Sequence, residues 1–133
     1  MDEVKFYMDE SLVTVEAEAT ASDAAKIMRD HNVGSLLVVQ GEVHVGVITE
    51  GDLSRKVIAA DISPQEIRAK QVMTKPIISI DSNQTMAVAF IQMHKKHIRH
   101  LAITESGSIK GMLSIKDFGN YYANKFGKSK KKN

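Results

Sequence analysis

The chain has 133 residues, of which 43% are apolar, and its formal net charge is +2, which is typical of a globular domain with a real core. The absence of cysteine excludes a disulfide framework and a thiolate metal site, and no apolar run is long enough to predict a membrane span. Because the mixed-charge N-terminus does not have the pattern of a signal peptide, we expect a cytoplasmic protein.

The first half of the chain is predicted to alternate between strand and helix. The first helix should begin at Thr20, because Thr20-Ala21-Ser22-Asp23 fits a capping box and apolar residues follow at helical spacing. Gln40-Gly41-Glu42 has the composition of a hairpin turn between two strands. We therefore predict strand, helix, two hairpin strands and helix, in that order, over residues 12–15, 20–31, 35–39, 43–48 and 49–58.

A connector and a second set of elements complete the chain. Ser63-Pro64-Gln65-Glu66 predicts another helix start, with serine as the N-cap and proline at the first helical position. The helix over 85–96 should bury a stripe formed by Met86, Ala89, Phe90 and Met93. The remaining predictions are a strand, two hairpin strands and a final helix, over residues 77–80, 100–104, 109–113 and 114–126.

The two halves are copies of one another. Residues 5–53 match residues 70–118 without a gap when shifted by 65 positions. Identical pairs include Met8 with Met73, Thr20 with Thr85, Gly46 with Gly111 and Asp52 with Asp117. A duplication of this kind predicts two similar units that pack with pseudo-twofold symmetry. Since strands alternate with helices, the fold class should be α/β, with two small sheets covered by helices.

The positive charge is concentrated at the C-terminus. Residues 125–133 contain five lysines and no acidic residue, and removing them leaves 13 basic against 16 acidic residues. We predict a disordered lysine-rich tail over 125–133, with contact to nucleic acid or anionic lipid as the alternative role. Only Phe126 interleaves with these lysines, which gives no indication of base stacking.

The junction between the third strand and the second helix of each copy carries the pattern Gly-x-x-(Thr/Ser)-x-x-Asp, at 46–52 and 111–117. In one interpretation, the hydroxyl residue and the aspartate only cap the helix, because both can satisfy free backbone N–H groups. In the other, the helix N-terminus and hydroxyl bind a phosphate while the aspartate accepts hydrogen bonds from a ribose diol. The glycine would then allow a ligand to approach the backbone closely.

These features resemble a tandem pair of CBS domains, also called a Bateman module. The matching segments are Val72-Met73-Thr74, residues 98–103 and both Gly-x-x-(Thr/Ser)-x-x-Asp turns. The first copy departs from the family pattern at residues 7–9 and 33–36, where it lacks a basic pair. The resemblance assigns one CBS motif of β-α-β-β-α order to residues 3–62 and a second to residues 63–124.

The resemblance implies regulation rather than catalysis, through binding of an adenosine derivative (AMP, ADP, ATP, S-adenosylmethionine or NAD) in clefts between the two halves. It implies that Asp52 and Asp117 bind ribose and that Thr49 and Ser114 lie near the phosphate. Further ligand-binding positions implied by the resemblance are the phosphate ligands Arg99 and His100 and the adenine contacts Ser11, Gly34, Pro76 and Ile98. Because only the cleft containing Asp117 has a cationic pair in its own copy, we expect it to bind a phosphorylated ligand more tightly.

Several alternatives remain open from the sequence. Arg99 and His100 can be surface charges at the start of a strand, and the spacing of His94, His97 and His100 is weak evidence for a metal site, since the helix should end near His97. The sequence contains no nucleotide-hydrolase motif and no catalytic-nucleophile motif, so nothing in it predicts an enzyme. We expect a homodimer that regulates a separate protein. The alternative functions are nucleic-acid binding through the lysine tail and a structural dimerisation module without a ligand.

Overall fold

The computed structural model describes the backbone of residues 2–131 and the side chains of residues 2–127. The chain forms two compact units. We call Leu12–Ile77 the first-repeat unit. The second-repeat unit combines the N-terminal segment up to Ser11 with the chain from Ile78 onward.

The first-repeat unit is built on a three-stranded sheet. In order its elements are β1 Thr14–Glu16, α1 Ala21–His31, β2 Ser35–Gln40, β3 Val43–Thr49, α2 Glu50–Leu53, a turn of π-helix Ser54–Ile58, and α3 Ala69–Val72. Strand β2 is central, parallel to β1 and antiparallel to β3. This order explains the apolar run at residues 36–39 in β2, since a central strand covered by helices is buried, here over its first four residues.

The start of α1 follows the sequence prediction. Thr20 accepts a hydrogen bond from the Asp23 N–H through its hydroxyl at 3.0 Å, and Asp23 accepts one from the Thr20 N–H at 3.1 Å. This confirms the predicted capping box. The helix ends where Asn32 adopts a left-handed conformation with φ of 52°, which asparagine tolerates better than most residues. Ala21, Ala24 and Met28 face the core of the unit.

The helix predicted to begin at Ser63 does not form, so this prediction was wrong. Residues 63–66 make a single turn in which the Glu66 N–H donates to the Ser63 carbonyl at 3.0 Å. The following carbonyls are bound elsewhere: the Ser22 N–H donates to Pro64 and the Ala21 N–H donates to Ile67. Because α1 uses these acceptors to satisfy its own first N–H groups, the connector forms turns and bends and no helix, and α3 begins only at Ala69.

The second-repeat unit has the same architecture. Its elements are a turn of 3₁₀ helix Val4–Phe6, β4 Ser79–Asp81, α4 Met86–Lys96, β5 His100–Glu105, β6 Ser108–Ser114 and α5 Ile115–Lys131. The sheet order is β4-β5-β6, with β5 central, parallel to β4 and antiparallel to β6. The predicted α/β class, with a three-stranded sheet in each copy, is therefore confirmed.

The core of the second-repeat unit lies between its sheet and helices. Met86, Ala89 and Met93 are buried, as the helical spacing predicts. Phe90 is 45% exposed, however, so its predicted place in the buried stripe was wrong. Its ring instead lies edge-on to Phe118 at a centroid distance of 5.5 Å. One residue from the other end of the chain, Val4, is fully buried in this core.

The units are assembled differently from the repeat ranges 3–62 and 63–124. The N–H groups of Ala69 and Lys70 donate to the carbonyls of Ala19 and Ala17, which ties the segment before the second copy to the first-repeat unit. The corresponding N-terminal segment, with Val4, packs in the second-repeat unit. Each copy therefore completes its unit with the segment that precedes the other copy.

The last helix is longer than predicted. It continues to Lys131 and so includes most of the stretch 125–133 for which the sequence predicted a disordered tail. Lysine is a good helix former, and cations near a helix C-terminus interact favourably with its dipole. Residues 132 and 133 lie outside the described part of the chain. None of the helices in the described range has an apolar stretch that could span a bilayer.

Candidate functional site

The first Gly-x-x-(Thr/Ser)-x-x-Asp turn forms the junction between β3 and α2. The Asp52 N–H donates to the Thr49 hydroxyl at 3.1 Å, and the Thr49 N–H donates to Asp52 Oδ2 at 3.0 Å. This is a reciprocal capping box, so the capping interpretation of the sequence describes this copy. Asp52 is only 3% exposed, which places its carboxylate inside the first-repeat unit.

The other oxygen of Asp52 is also bound. Thr74 donates its hydroxyl to Asp52 Oδ1 at 3.0 Å, and Lys56 Nζ lies 3.0 Å from the same oxygen. Lys56 was not predicted from the sequence, although its position four residues after Asp52 is the spacing at which helical side chains form ion pairs. We call Asp52, Lys56 and Thr74 the Asp52 cluster.

The second turn joins β6 to α5 and differs from the first. Ser114 donates to Asp117 Oδ2 from its backbone N–H at 2.8 Å and from its hydroxyl at 3.3 Å. Asp117 is 7% exposed, and burial raises the pKa of its carboxyl above the ordinary range. The negative charge of Asp9 adds to the rise in this pKa, whereas the hydrogen bonds from Ser114 and the charge of Lys116 oppose it.

Six of the predicted ligand-binding residues belong to the second-repeat unit: Ser11, Ile98, Arg99, His100, Ser114 and Asp117. The Ile115 N–H donates to the Arg99 carbonyl at 3.0 Å, and His100 is the register partner of Ser114. The Arg99 side chain is exposed. The Ser11 N–H donates to Asp9 Oδ1 at 2.9 Å.

The other four predicted residues, Gly34, Thr49, Asp52 and Pro76, lie in the first-repeat unit. The Glu50 N–H donates to the Gly34 carbonyl at 3.1 Å, so Gly34 occupies the place that Arg99 has in the other copy. Pro76 is exposed and follows Thr74 by two residues. The counterpart of Arg99 in this copy is therefore a glycine, but a different arginine lies beside the turn, because a Cβ on Gly51 would lie 2.8 Å from the Arg55 guanidinium.

Gly46 and Gly111, the first residues of the two turn patterns, have a packing explanation. A Cβ on Gly46 would lie 2.6 Å from Met73 Sδ and 3.0 Å from the Thr74 carbonyl oxygen. A Cβ on Gly111 would lie 2.7 Å from Met8 Sδ and 2.9 Å from the Asp9 carbonyl oxygen. The protein's own chain fills the space that the sequence interpretation reserved for an approaching ligand, so that interpretation of the glycines was wrong.

The histidine cluster offers no metal site in the described structure. Helix α4 ends at Lys96, and His97 follows in a left-handed conformation with φ of 54°, which confirms the predicted helix end. His100 belongs to β5 and not to the helix. Among the side chains of residues 2–127, no group of three or more potential ligands could hold a metal ion.

Comparison with protein families agrees with this architecture. The CBS domain model matches residues 3–59 and again residues 69–124. The chain belongs to the CBS-domain family. Its two CBS repeats each contain one of the strand-to-helix turns described above.

Relatives of this CBS pair occur in bacteria and archaea. YhcV of Bacillus subtilis, a CBS domain-containing protein, is 29% identical over 88% of this chain and 83% of its own length. Protein MK0525 of Methanopyrus kandleri is 32% identical over 80% of this chain, which spans 55% of that protein. A crystal structure from Pyrococcus horikoshii is 28% identical with a TM-score of 0.85, covering 90% of both chains. A CBS structure from Burkholderia ambifaria, described as a signal-transduction protein, is 29% identical with a TM-score of 0.81, covering 84% of this chain and 82% of its own.

Proposed function

We propose that this CBS pair is a non-catalytic, cytoplasmic regulatory module that binds an adenine nucleotide (AMP, ADP or ATP) or S-adenosylmethionine. Membership of the CBS family and the similarity to a protein described as acting in signal transduction support a regulatory role. The observation that carries the proposal is the arrangement around Asp117. There, the buried Asp117 carboxylate and the Ser114 hydroxyl lie at the first turn of a long helix, and the backbone carbonyl of Arg99, whose side chain is exposed, accepts a hydrogen bond from the same turn.

The Asp117 carboxylate has the acceptor capacity that a ribose diol requires. Both of its described hydrogen bonds fall on Oδ2, and both come from Ser114. A carboxylate offers about four acceptor positions, so Oδ1 can accept hydrogen bonds from sugar hydroxyls. Burial strengthens such bonds because water competes less effectively at a site of low dielectric constant.

The surroundings of Asp117 can bind the negative end of the same ligand. Helix α5 has 17 residues, and its N-terminus presents backbone N–H groups and the positive end of the helix dipole. Arg99 accepts a backbone hydrogen bond from Ile115 at this helix start, and its guanidinium is a group that can bind phosphate oxygens in a bidentate manner. The adenine contacts that the family resemblance implies are Ser11 and Pro76 together with Gly34 or Ile98 of the opposite repeat, and of these Ser11 and Ile98 belong to the same unit as Asp117.

Regulation would follow from a shift between conformations of the chain. A ligand that binds one conformation more tightly raises the population of that conformation and changes the surface seen by a separate partner protein. We also propose that the partner-binding form is a homodimer. Exposed apolar side chains on α4 and α5 support this, namely Phe90, Ile91, Tyr122 and Phe126 at 45%, 49%, 47% and 58% exposure.

Calorimetric titration with AMP, ATP, S-adenosylmethionine and GMP tests the proposal. We expect an adenosine compound to bind the wild-type chain and to raise its melting temperature. Asp117→Asn should weaken binding about 100-fold. The substitution replaces one carboxylate oxygen, an acceptor for the diol, with an amide N–H donor, so two charge-assisted hydrogen bonds are lost.

Asp81→Asn is the matched control, since Asp81 is an exposed carboxylate of the same unit that caps only a local turn, and this variant should bind like the wild type. Neither heat nor a change in melting temperature with any of the compounds would contradict the proposal. That outcome would favour a structural dimerisation module.

A further inference from the structure

The two copies of the site differ in how their carboxylates are occupied. In the first-repeat unit, Asp52 Oδ1 is bound by Thr74 and Lys56, and Oδ2 accepts from the Thr49 N–H. Three of about four acceptor positions are therefore filled from within the unit. In the second-repeat unit, the described bonds of Asp117 leave Oδ1 for another donor.

The Asp52 cluster is held by several further contacts. Lys56 Nζ donates to the Val72 carbonyl at 2.9 Å and to the Thr74 hydroxyl at 3.3 Å. Thr74 is fixed in turn by a pair of backbone hydrogen bonds with Val47, at 2.8 and 3.0 Å. A ligand that required Asp52 Oδ1 would have to displace a lysine with three acceptors and a threonine tied to β3.

The second copy cannot build the same cluster. The residue 65 positions after Lys56 is Tyr121, whose hydroxyl donates to Asp2 Oδ1 at 2.9 Å. The residue 65 positions before Thr74 is Asp9, which in its ionised form has no proton to donate. Asp9 is also held by backbone hydrogen bonds to Met112 at 2.9 Å, the counterpart of the pairing of Thr74 with Val47. Among the three positions of the Asp52 cluster, the two copies thus differ at two, with tyrosine in place of Lys56 and aspartate in place of Thr74. These two differences leave the Asp117 carboxylate without the donors that occupy Asp52.

We propose that Lys56 and Thr74 occupy Asp52 in place of a sugar diol, so that the chain binds a single nucleoside ligand, at Asp117. This inference rests on the proposed function and adds to it the number of sites and the residues that decide between them. Lys56 and Thr74 act as specificity-determining residues that exclude a second ligand.

Titration with AMP, with the stoichiometry as the readout, tests this inference. We expect one AMP per wild-type chain, and a loss of that single binding event in Asp117→Asn. The double variant Lys56→Met/Thr74→Val should show a second, weaker event, because Asp52 Oδ1 is then free. The control Lys26→Gln removes an exposed lysine of the same unit and should still bind one AMP.

If the double variant does not fold, a second variant and a measurement without ligand still test the inference. Lys56→Gln alone retains the Thr74 hydrogen bond and should still expose part of the second site. Without ligand, both variants should melt below Lys26→Gln, because a buried carboxylate loses a partner.

Two equivalents of AMP in the wild type, or one equivalent in the double variant when it is folded, would overturn the inference and leave the proposed function standing. An absence of binding by AMP, ATP and S-adenosylmethionine in every variant would instead refute the proposed function, and the inference with it.

Discussion

Replacing Gly111 with alanine tests whether close packing explains the glycine in each turn. The added Cβ would lie 2.7 Å from Met8 Sδ and 2.9 Å from the Asp9 carbonyl oxygen. The sulfur ends a flexible side chain and can move. The carbonyl cannot move easily, because it accepts a hydrogen bond from the Met112 N–H at 2.9 Å in a paired backbone bridge. The methyl group must therefore separate two segments that the hydrogen bonds hold together.

The expected cost can be estimated from known overpacking effects. Inserting a methyl group into a packed region costs about 1–3 kcal/mol. With an unfolding entropy of about 2.1 cal/mol/K per residue, a chain of 133 residues has an unfolding entropy of roughly 280 cal/mol/K. The melting temperature of Gly111→Ala should consequently fall by about 4–11 °C.

Gly119→Ala provides a matched control in the same unit. Gly119 lies within α5, and apart from its chain neighbours and the backbone of its own helix no atom would lie within 4 Å of its added Cβ. Because alanine is favoured over glycine in a helix by about 0.5–1 kcal/mol, this variant should melt about 2–4 °C higher. Scanning calorimetry on both variants gives the comparison. Equal melting temperatures for Gly111→Ala and the wild type would refute the packing explanation, provided Gly119→Ala rises as expected.

Two further predictions concern charge and packing in the second-repeat unit. Folding raises the pKa of Asp117, so the folded state binds a proton more readily, and the stability of the wild type relative to Asp117→Asn should fall as pH rises through that raised pKa. Melting curves from pH 3 to 7 measure this difference, and one that is constant across the range would contradict it. Met93→Ala should lower the free energy of unfolding, measured by urea denaturation, by about 2–5 kcal/mol, because Met93 is 2% exposed and its truncation leaves a cavity. Phe90→Ala should cost less, since that ring is 45% exposed, and the reverse order would show that Phe90 is the core residue.

Patterns with a local physical cause could be predicted from the sequence. The capping box at Thr20 and Asp23 involves residues three apart, and its hydrogen bonds form wherever that helix begins. Helix α4 likewise follows from its spacing of apolar residues and ends near His97 as predicted, with Lys96 as its last residue. The duplication predicted two units of the same architecture, and the carboxylates of both turns were found because the pattern repeats at an interval of 65 residues.

Predictions failed where a segment distant in the sequence took the hydrogen-bond acceptors or the space that a local interpretation had assigned to something else. The helix start at Ser63 has suitable residues, but α1 takes the carbonyls of Pro64 and Ile67. Gly46 was explained by a ligand, whereas Met73, brought there by the pairing of Thr74 with Val47, fills the space beside it.

The sequence by itself determined the duplication, the strand and helix order, and the residue types at each turn, because these depend on spacing along the chain. Only the tertiary structure decided which segment completes each unit and which donors reach each carboxylate. Lys56 and Thr74 approach Asp52 from 4 and 22 residues away, and Asp9 lies near Asp117 although 108 positions separate them in the sequence. Such contacts depend on how the chain folds back on itself, and therefore two turns with the same sequence pattern have different electrostatic surroundings.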